Sequence, residues 1–379
     1  MNNKGHQICS RCVMDSTDMD ISFDADGHCN HCTEYLENRL KLSETKPDPE
    51  ALSKLFSDIK QRNTGKGNKY DAVIGLSGGS DSTYAAYLAH SYGLKLLAVH
   101  VDNGWNLGKA NLNIKKFLDI TGIDYKCVVL PWKNFSELLK AYLNASVPEA
   151  DAPSDIAIYK WQLEIASENN IKDIISGGNM SSEGILPASW HYNDRDLAYA
   201  KSILSLSGLS LSDYSMVSCG FKRDAYFRLF KKIKFHSPLN FSGYQKDEAK
   251  KELALKYNWV DYDMKHGESK YTRFLQSYYM YEKHGIDYRK TWMSCNICRG
   301  ILSREDALKE LELLPYDPEK IDEDLIYIAK KLNMSSDQLR AIVSLPGKWH
   351  TDYPNNKFIL GKMYDLYRLV FRKEKLTNF

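Results

Sequence analysis

The chain has 379 residues, 43% of them hydrophobic and 26% charged, which is the usual balance of a globular protein with a sizeable core. Its 51 basic and 49 acidic residues give a formal net charge of +2, so it has no broad positive field for nucleic acid or acidic membranes. The first ten residues contain no apolar signal segment, and no apolar run approaches the ~18 residues of a membrane span. We therefore expect a cytoplasmic protein with reduced cysteines and no membrane partner.

The first motif is a pair of C-x-x-C knuckles, Cys9 with Cys12 and Cys29 with Cys32, separated by sixteen residues. Each knuckle presents two thiolates to one ion, and this spacing is typical of a tetrahedral Cys₄ zinc ribbon. A closed Cys₄ site has no open position for substrate, so we predict a structural zinc (Zn²⁺) in a unit over residues 1–36. Disulfides and an iron–sulfur cluster use the same cysteines and stay open as alternatives.

Residues 37–69 are predicted to form a helical connector. Leu52, Leu55, Phe56 and Ile59 have the spacing of one apolar helix face. A polar turn, RNTGKGNK, then leads to the next unit.

The next unit opens with a strand, a Gly/Ser loop and a helix. Residues 71–76, DAVIGL, are predicted to form a short buried strand, and a helix is predicted at 84–90. This order directs backbone N–H groups and the positive end of a helix at an anion. We predict that the loop binds nucleotide phosphates through Ser77, Gly78, Gly79, Ser80, Asp81, Ser82 and Thr83. Because a carboxylate does not attract phosphate, we predict that Asp81 holds a Mg²⁺ that the phosphates also bind.

The loop is not a Walker loop, because the chain contains no G-x-x-x-x-G-K-[ST]. Its SGGSDS sequence after a strand resembles the PP-loop of ATP pyrophosphatases. That resemblance implies cleavage of ATP between the α and β phosphates. AMP is then attached to a carbonyl oxygen, and a nitrogen or sulfur nucleophile displaces it.

Further strands are predicted at 95–101, 125–130 and 172–178, with helices at 106–121 and 154–169. Alternating strands and helices predict an α/β fold over residues 70–260, with a parallel sheet covered by helices on both faces. Cys127, inside the third strand, is expected in the core.

Ligands of such sheets bind beyond the carboxyl ends of the strands. We therefore predict that the adenosine and phosphates of ATP contact the residues that end the second and fourth strands: His100, Val101, Asp102, Asn103, Gly177, Gly178 and Asn179. Simple turns at Asp102–Gly104 remain the alternative.

The segment HGESKYTRF, residues 266–274, places charged groups close together after a glycine. We predict that Glu268 joins Asp81 on Mg²⁺ and that Lys270 and Arg273 clamp pyrophosphate, with helix-surface ion pairing as the alternative. Residues 261–379 are predicted to be mainly helical and to complete the active site. A third C-x-x-C, Cys295 with Cys298, is expected in a link between helices and without a metal.

Taken together, C-x-x-C-V-M-D-S-T-D, SGGSDST, VHVDNGW, SGGN and HGESKYTRF resemble one family over nearly the whole chain. This is the family of N-acetyl sugar amidotransferases of surface-polysaccharide biosynthesis, of the WbpG/PseA type. The resemblance implies a PP-loop, adenine nucleotide alpha hydrolase-like fold. It also implies conversion of the acetamido group of an N-acetyl sugar, either nucleotide-linked or free, to an acetamidino group. It also implies ATP, Mg²⁺, a separate HisH-like glutaminase that supplies ammonia, and a possible HisF-like companion.

The alternative function is tRNA thiolation, which also combines a PP-loop with C-x-x-C pairs. It needs a basic RNA face, which the net charge disfavours, and a catalytic cysteine. Cys127, Cys219, Cys295 and Cys298 leave that requirement open. A third class of function is a nucleotide-binding scaffold without catalytic activity. Such a scaffold would give no role to Asp81 or to the charged residues in the range 268–273.

Overall fold

The structure is a computed structural model that describes residues 6–39, 47–63, 67–262 and 268–371, with side chains up to 365 in the last range and without that of residue 39. A five-stranded parallel sheet with the order β3-β2-β1-β4-β5 lies at its centre. The strands are β1 Ala72–Gly75, β2 Leu96–Asp102, β3 Asp124–Val129, β4 Asp173–Ile175 and β5 Lys234–His236. The strand order reverses between β1 and β4, and such a switch point leaves a crevice beyond the carboxyl ends of the strands.

Helices make up most of the remaining described chain. Those that precede β4 are α1 Asn30–Glu34, α2 Pro49–Asn63, α3 Ser80–Ser91, α4 Gly108–Thr121, α5 Trp132–Asn144 and α6 Ala152–Glu168. Those between β4 and residue 262 are α7 Met180–Glu183, α8 Leu197–Ser205, α9 Leu211–Tyr214, α10 Phe221–Ala225 and α11 Lys246–Tyr257. Those from residue 268 are α12 Lys270–Phe274, α13 Met280–His284, α14 Arg289–Cys298, α15 Arg304–Leu311, α16 Ile321–Lys331, α17 Ser336–Ser344 and α18 Lys357–Phe371.

Helices cover the sheet on both faces, as predicted. Successive side chains of a strand point to opposite faces, and each face of this sheet has its own apolar core. Val73 packs into the core that contains residues of α5 and α6. Its neighbour Ile74 packs into the core that contains residues of α2, α3, α4 and α11. The α/β fold class predicted from the sequence is therefore confirmed.

Three local predictions were wrong. The sequence analysis gave four strands, and the fifth, Lys234–His236, has only three residues and lies at the sheet edge beside β4. Cys127 is exposed rather than in the core, because β3 is the opposite edge strand. Cys295 and Cys298 lie inside α14, not in a link between helices.

Some predictions lie outside what the structure tests. His266 and Gly267 are outside the described residues, as are parts of the predicted connector at 40–46 and 64–66. The boundaries proposed between the four units stay predictions. In the described ranges, no helix is both long enough and apolar enough to cross a membrane.

Candidate active site and metal centre

The PP-loop connects the end of β1 to α3 and holds its own shape through its hydroxyl groups. The Ser77 N–H donates to Ser82 Oγ over 3.1 Å, and the two hydroxyl oxygens lie 2.9 Å apart. The Gly79 N–H donates to Ser77 Oγ over 3.2 Å. Because the first N–H groups of a helix have no partner inside that helix, those that open α3 can bind an anion in front of the loop.

Gly78 fixes the back of the loop. Its φ is +84°, and a Cβ at this position would lie 2.5 Å from the carbonyl oxygen of Ala110 in α4. Its own carbonyl accepts hydrogen bonds from Trp259 Nε1 and the Tyr262 hydroxyl, each over 3.0 Å. The sequence analysis missed both donors, because nothing in their local pattern points to the loop.

Gly177 brings the end of β4 against the same loop. A Cβ at this position would lie 2.7 Å from the backbone nitrogen of Ser82. We predicted a close approach of a ligand at this glycine pair. The backbone that approaches Gly177 is that of the PP-loop itself, so this glycine is needed for packing even without a ligand.

A cavity of about 310 Å³ lies at the switch point between β1 and β4. It brings together most of the predicted site residues. Those that line it are Ser77, Gly79, Ser80, Asp81, Ser82, His100, Val101, Asn103, Gly177, Gly178 and Glu268. Its volume lies in the range of about 300–1,000 Å³ typical of small-molecule sites.

The other predicted residues do not line this cavity. Gly78 and Thr83 belong to the loop but are not among the residues that line the cavity. Thr83 Oγ1 donates to the Gly79 carbonyl over 2.7 Å. The Asp102 carboxylate accepts from the Gly104 N–H over 2.8 Å. Asn179 caps α7 by accepting from the Ser182 N–H over 3.0 Å. These side chains therefore stabilise the backbone beside the cavity.

Lys270 and Arg273 also lie away from the cavity lining. Lys270 Nζ is 2.8 Å and an Arg273 Nη 2.7 Å from the carboxylate of Asp324 in α16. This is the ion pairing weighed as the alternative to a pyrophosphate clamp. The clamp remains a prediction without geometric support here.

Glu268, in contrast, reaches the PP-loop. A Cβ on Gly79 would lie 3.3 Å from Glu268 Oε1. Ser269 and Thr272 line the cavity beside it. The segment that begins at residue 268 therefore forms one wall of the cavity that the PP-loop also lines.

His100 is held as a neutral imidazole. One ring nitrogen, Nδ1, donates to the Leu76 carbonyl over 2.8 Å, which leaves Nε2 to accept from Asn106 Nδ2 over 2.6 Å. Burial lowers the pKa of His100, in agreement with this arrangement. The side chain thus ties the ends of β1 and β2 together.

The cavity is strongly acidic. Among the described residues, its lining contains more carboxylates than cations: Asp81, Asp151, Asp155, Glu183, Asp261 and Glu268 against Lys246 and Lys250. Lys250 Nζ is 3.0 Å from Asp261, and Lys246 Nζ is 3.9 Å from Asp81. A phosphate ligand in this cavity therefore needs further positive charge.

The surroundings of Asp81 fit Mg²⁺. Its carboxylate accepts from Ser80 Oγ over 3.1 Å and from the Tyr244 hydroxyl. Burial, the charge of Asp81 and, to a lesser extent, that of Glu183 raise the pKa of Tyr244, so Glu183 also lies in this neighbourhood. Carboxylate and hydroxyl oxygens are the donors that Mg²⁺ prefers.

The four N-terminal cysteines form one buried cluster, as predicted. Their sulfur atoms lie within 4.8 Å of one another. The Sγ atoms of Cys9 and Cys32 are 3.7 Å apart, and those of Cys12 and Cys29 are 3.6 Å apart. Zn–S bonds of about 2.3 Å in a tetrahedron place sulfurs about 3.8 Å apart, so the cluster fits one zinc ion. This spacing leaves little room for the sulfides of a polynuclear cluster.

The cysteine ribbon is attached to the rest of the molecule on two sides. Arg304 of α15 donates to the carbonyls of Cys9 and Cys12 over 2.8 and 3.0 Å. Buried Asp18 accepts from Ser189 Oγ over 2.5 Å, and the Tyr35 hydroxyl donates to the Met180 carbonyl over 3.0 Å. The ribbon therefore braces the segments that follow β4.

We predict that Gly78→Ala distorts the PP-loop. The methyl group cannot fit against the Ala110 carbonyl, and a non-glycine residue at this φ costs roughly 1–3 kcal/mol. Urea unfolding should show a loss of this size together with weaker ATP binding. Gly108→Ala is the matched control, because a Cβ there meets nothing within 4 Å. Equal stability of the two variants would contradict the prediction.

We predict that Cys9→Ser removes the bound metal and lowers the solubility of the chain. A structural ion contributes its binding energy to folding, and three thiolates hold zinc less tightly than four. Elemental analysis measures the metal content, and the fraction of the chain that stays in the supernatant after centrifugation measures the solubility. Cys127→Ser is the control, since that cysteine is exposed on β3. Purified wild-type chain without zinc, or with iron in its place, would overturn this assignment.

Comparison with known proteins finds a family model that matches the C-terminal part of the chain. No curated protein matches the chain. Among solved structures, an NH3-dependent NAD synthetase from Campylobacter jejuni subsp. jejuni NCTC 11168 is 14% identical, with 48% of this chain and 83% of that chain covered and a TM-score of 0.29. The U34-tRNA thiolase NcsA from Methanococcus maripaludis, with its [4Fe-4S] cluster, is 19% identical, with 70% and 82% covered and a TM-score of 0.29.

The five-stranded parallel sheet and the loop at residues 77–83 define the fold. The family comparison is more specific. Residues 268–368 match the model described as "LPS biosynthesis protein WbpG-like, C-terminal domain". The C-terminal part of the chain is therefore similar to the C-terminal domain of WbpG-like LPS biosynthesis proteins, which confirms the resemblance predicted from the motifs.

Proposed function

We propose that this chain is an ATP-dependent, AMP-forming amidotransferase that converts the acetamido group of an N-acetylated, nucleotide-linked sugar to an acetamidino group in LPS O-antigen biosynthesis. One observation carries the proposal. The WbpG-like domain begins at Glu268, and its residues Glu268, Ser269 and Thr272 line the same cavity as the PP-loop. A nucleotide loop and a domain of a surface-glycan family thus contribute to one site.

The chemistry requires activation of the amide. An amide oxygen is a poor leaving group, so nitrogen can replace it only after the oxygen has been esterified. Transfer of AMP from ATP to that oxygen releases pyrophosphate and creates a good leaving group. The N–H groups at the start of α3 would bind the phosphates, and positioning of the two substrates would supply most of the rate acceleration.

Metal ions support two separate tasks in this proposal. Asp81, with Glu183 and Glu268 nearby, would hold the Mg²⁺ of the nucleotide. When bound, Mg²⁺ offsets the charge of the phosphates in a cavity whose lining is acidic. Zinc in the cysteine ribbon would be structural, because its four protein ligands leave no position for a substrate.

Thiolation of tRNA remains the second candidate, and the cysteine positions disfavour it. No cysteine is among the described residues that line the cavity. Burial raises the pKa of Cys219 and of Cys298 to about 12, which disfavours the thiolate that such chemistry needs. A requirement for tRNA in AMP formation would favour this candidate.

The central experiment supplies the chain with ATP, Mg²⁺, isotopically labelled ammonium and a panel of nucleotide-linked N-acetyl sugars. We expect AMP, pyrophosphate and a sugar in which labelled nitrogen replaces the acetamido oxygen, identified by mass spectrometry. Formation of ADP, or of AMP without a modified sugar from any member of the panel, would contradict the proposal.

We predict that Asp81→Asn lowers kcat for AMP formation roughly 10²–10³-fold, the usual cost of removing one charge-stabilising group from an active site. The loss should come with a weaker Mg²⁺ dependence and an unchanged circular dichroism spectrum. Asp119→Asn, on the exposed surface of α4, is the control. Substantial AMP formation by Asp81→Asn would rule out this role.

We also predict that the chain depends on a glutaminase partner of the HisH type, with a HisF-like companion as a further candidate. A glutaminase needs an activated cysteine. Cys127 lies within β3 on the exposed sheet edge, and Cys219 is fully buried. The purified chain should form product with ammonium but not with glutamine, and an added glutaminase should restore the glutamine reaction. Efficient use of glutamine by the chain alone would contradict this.

A further inference from the structure

One side of α6 and of its N-cap faces the cavity, and most of its residues are polar. Asp151, Ser154, Asp155, Ile158 and Gln162 all line the cavity, and we call them the α6 cavity face. Their spacing of three and four residues places them in one row along the helix. Other α6 side chains, such as Ile156 and Leu163, are fully buried in the core.

The row extends from the sheet to the WbpG-like domain. Gln162 packs against the end of β1, where a Cβ on Gly75 would lie 2.7 Å from its Nε2. At the other end, Thr272 Oγ1 donates to Asp151 Oδ2 over 2.6 Å. Asp155 and Ser154 lie between these two points, in the same cavity as the PP-loop.

Ser154 indicates that this face is built for a ligand. Its side chain is only 3% exposed, and within the described part of the chain its hydroxyl has no hydrogen-bond partner. An unpaired buried hydroxyl costs free energy, and a ligand that bonds to it removes that cost. Because Ser154 is a lining residue of the cavity, a ligand that bonds to its hydroxyl would lie on the α6 cavity face.

The charge of the face selects a cation. Asp151 and Asp155 are adjacent on it, and no lysine or arginine belongs to the face. Desolvation by the surrounding protein raises the pKa of Asp155, and the charges of Asp151 and Asp194 raise it further, although part of the residue is exposed. A carboxyl with a raised pKa accepts a proton more readily than an ordinary aspartate.

We propose that the α6 cavity face binds the ammonium ion that supplies the new nitrogen, and that Asp155 accepts its proton. This inference rests on the proposed function. Ammonium has only N–H donors, and the face offers acceptors in Asp151, Ser154 and Asp155. No role was assigned to these residues from the sequence.

The step balances as follows. Ammonium gives one proton to the Asp155 carboxylate and becomes ammonia. The nitrogen lone pair forms a bond to the carbon of the adenylated amide, and the C–O bond to AMP breaks, with AMP taking the electron pair. The adduct then loses one further proton to water and leaves an amidinium group on the sugar. Asp155 returns its proton to solvent before the next turnover.

The kinetic test compares two nitrogen nucleophiles. Asp155→Asn should lower kcat/KM for ammonium roughly 10²-fold, the usual contribution of a general base. The KM values for ATP, Mg²⁺ and sugar should be unchanged. Hydroxylamine is largely unprotonated at neutral pH and needs no base, so its rate should be close to that of the wild type. Ser154→Ala should raise the KM for ammonium.

Glu168→Gln is the matched control, because Glu168 lies on the same helix but is exposed and paired with Lys126. Equal kcat/KM for ammonium in Asp155→Asn and Glu168→Gln would overturn the inference and leave the proposed function intact. A change confined to the KM for sugar or Mg²⁺, or an equal loss with hydroxylamine, would also overturn it.

A binding test does not depend on turnover. Thallium(I) imitates ammonium in charge and size, and its anomalous scattering locates it in crystals of the full chain with a non-hydrolysable ATP analogue. We expect a thallium site at the α6 cavity face in the wild type and none in Asp155→Asn. No thallium at this face of the wild type would overturn the inference. If the wild type forms no AMP product with any sugar, the proposed function fails, and thallium still decides the cation site.

Discussion

The hydrogen bonds to the carbonyl of Gly78 determine the orientation of the PP-loop backbone relative to the cavity. Trp259 and Tyr262 both donate to this oxygen over 3.0 Å, and both side chains are buried. With the carbonyl held at the back, the loop can direct N–H groups forward into the cavity. A buried acceptor that lost both donors would cost about 1–3 kcal/mol, so the loop and the 259–262 segment form one unit. Residue 78 must be glycine for this, because its φ is +84°.

The acidic lining of the cavity sets the second constraint. A nucleotide brings further negative charge, yet Lys270 and Arg273 are held by Asp324 outside the cavity lining. Lys246 and Lys250 each lie near a carboxylate of the lining. In the proposed reaction, the backbone N–H groups of α3 and a divalent ion at Asp81 would therefore bind the phosphates. The same excess of carboxylates makes the cavity more suitable for a second, small cation than for a second anion.

Sequence reasoning succeeded where the determining interactions are local. The strand, the Gly/Ser loop and the helix start follow from short-range pattern, and so does the spacing of the two cysteine knuckles. It could not identify distant partners, such as Asp324 for Lys270 and Trp259 for Gly78. One missed feature did leave a signal. Asp155 and its polar neighbours recur at helical spacing along one side of α6, opposite residues such as Ile156 and Leu163 that are buried in the core.

The cysteine ribbon lies outside the cavity but is connected to its walls. Through Tyr35 it bonds to the carbonyl of Met180, at the start of the α7 helix that follows Gly177 and Gly178. Through Asp18 it bonds to Ser189, a few residues further along. Both bonds hold the segment after β4, whose glycine at 177 packs directly on the PP-loop. A metal that folds the ribbon therefore also restrains the segment after β4 that packs on the PP-loop. Loss of the metal should change the cavity through this backbone packing, rather than through direct contact of the metal's ligands with the cavity.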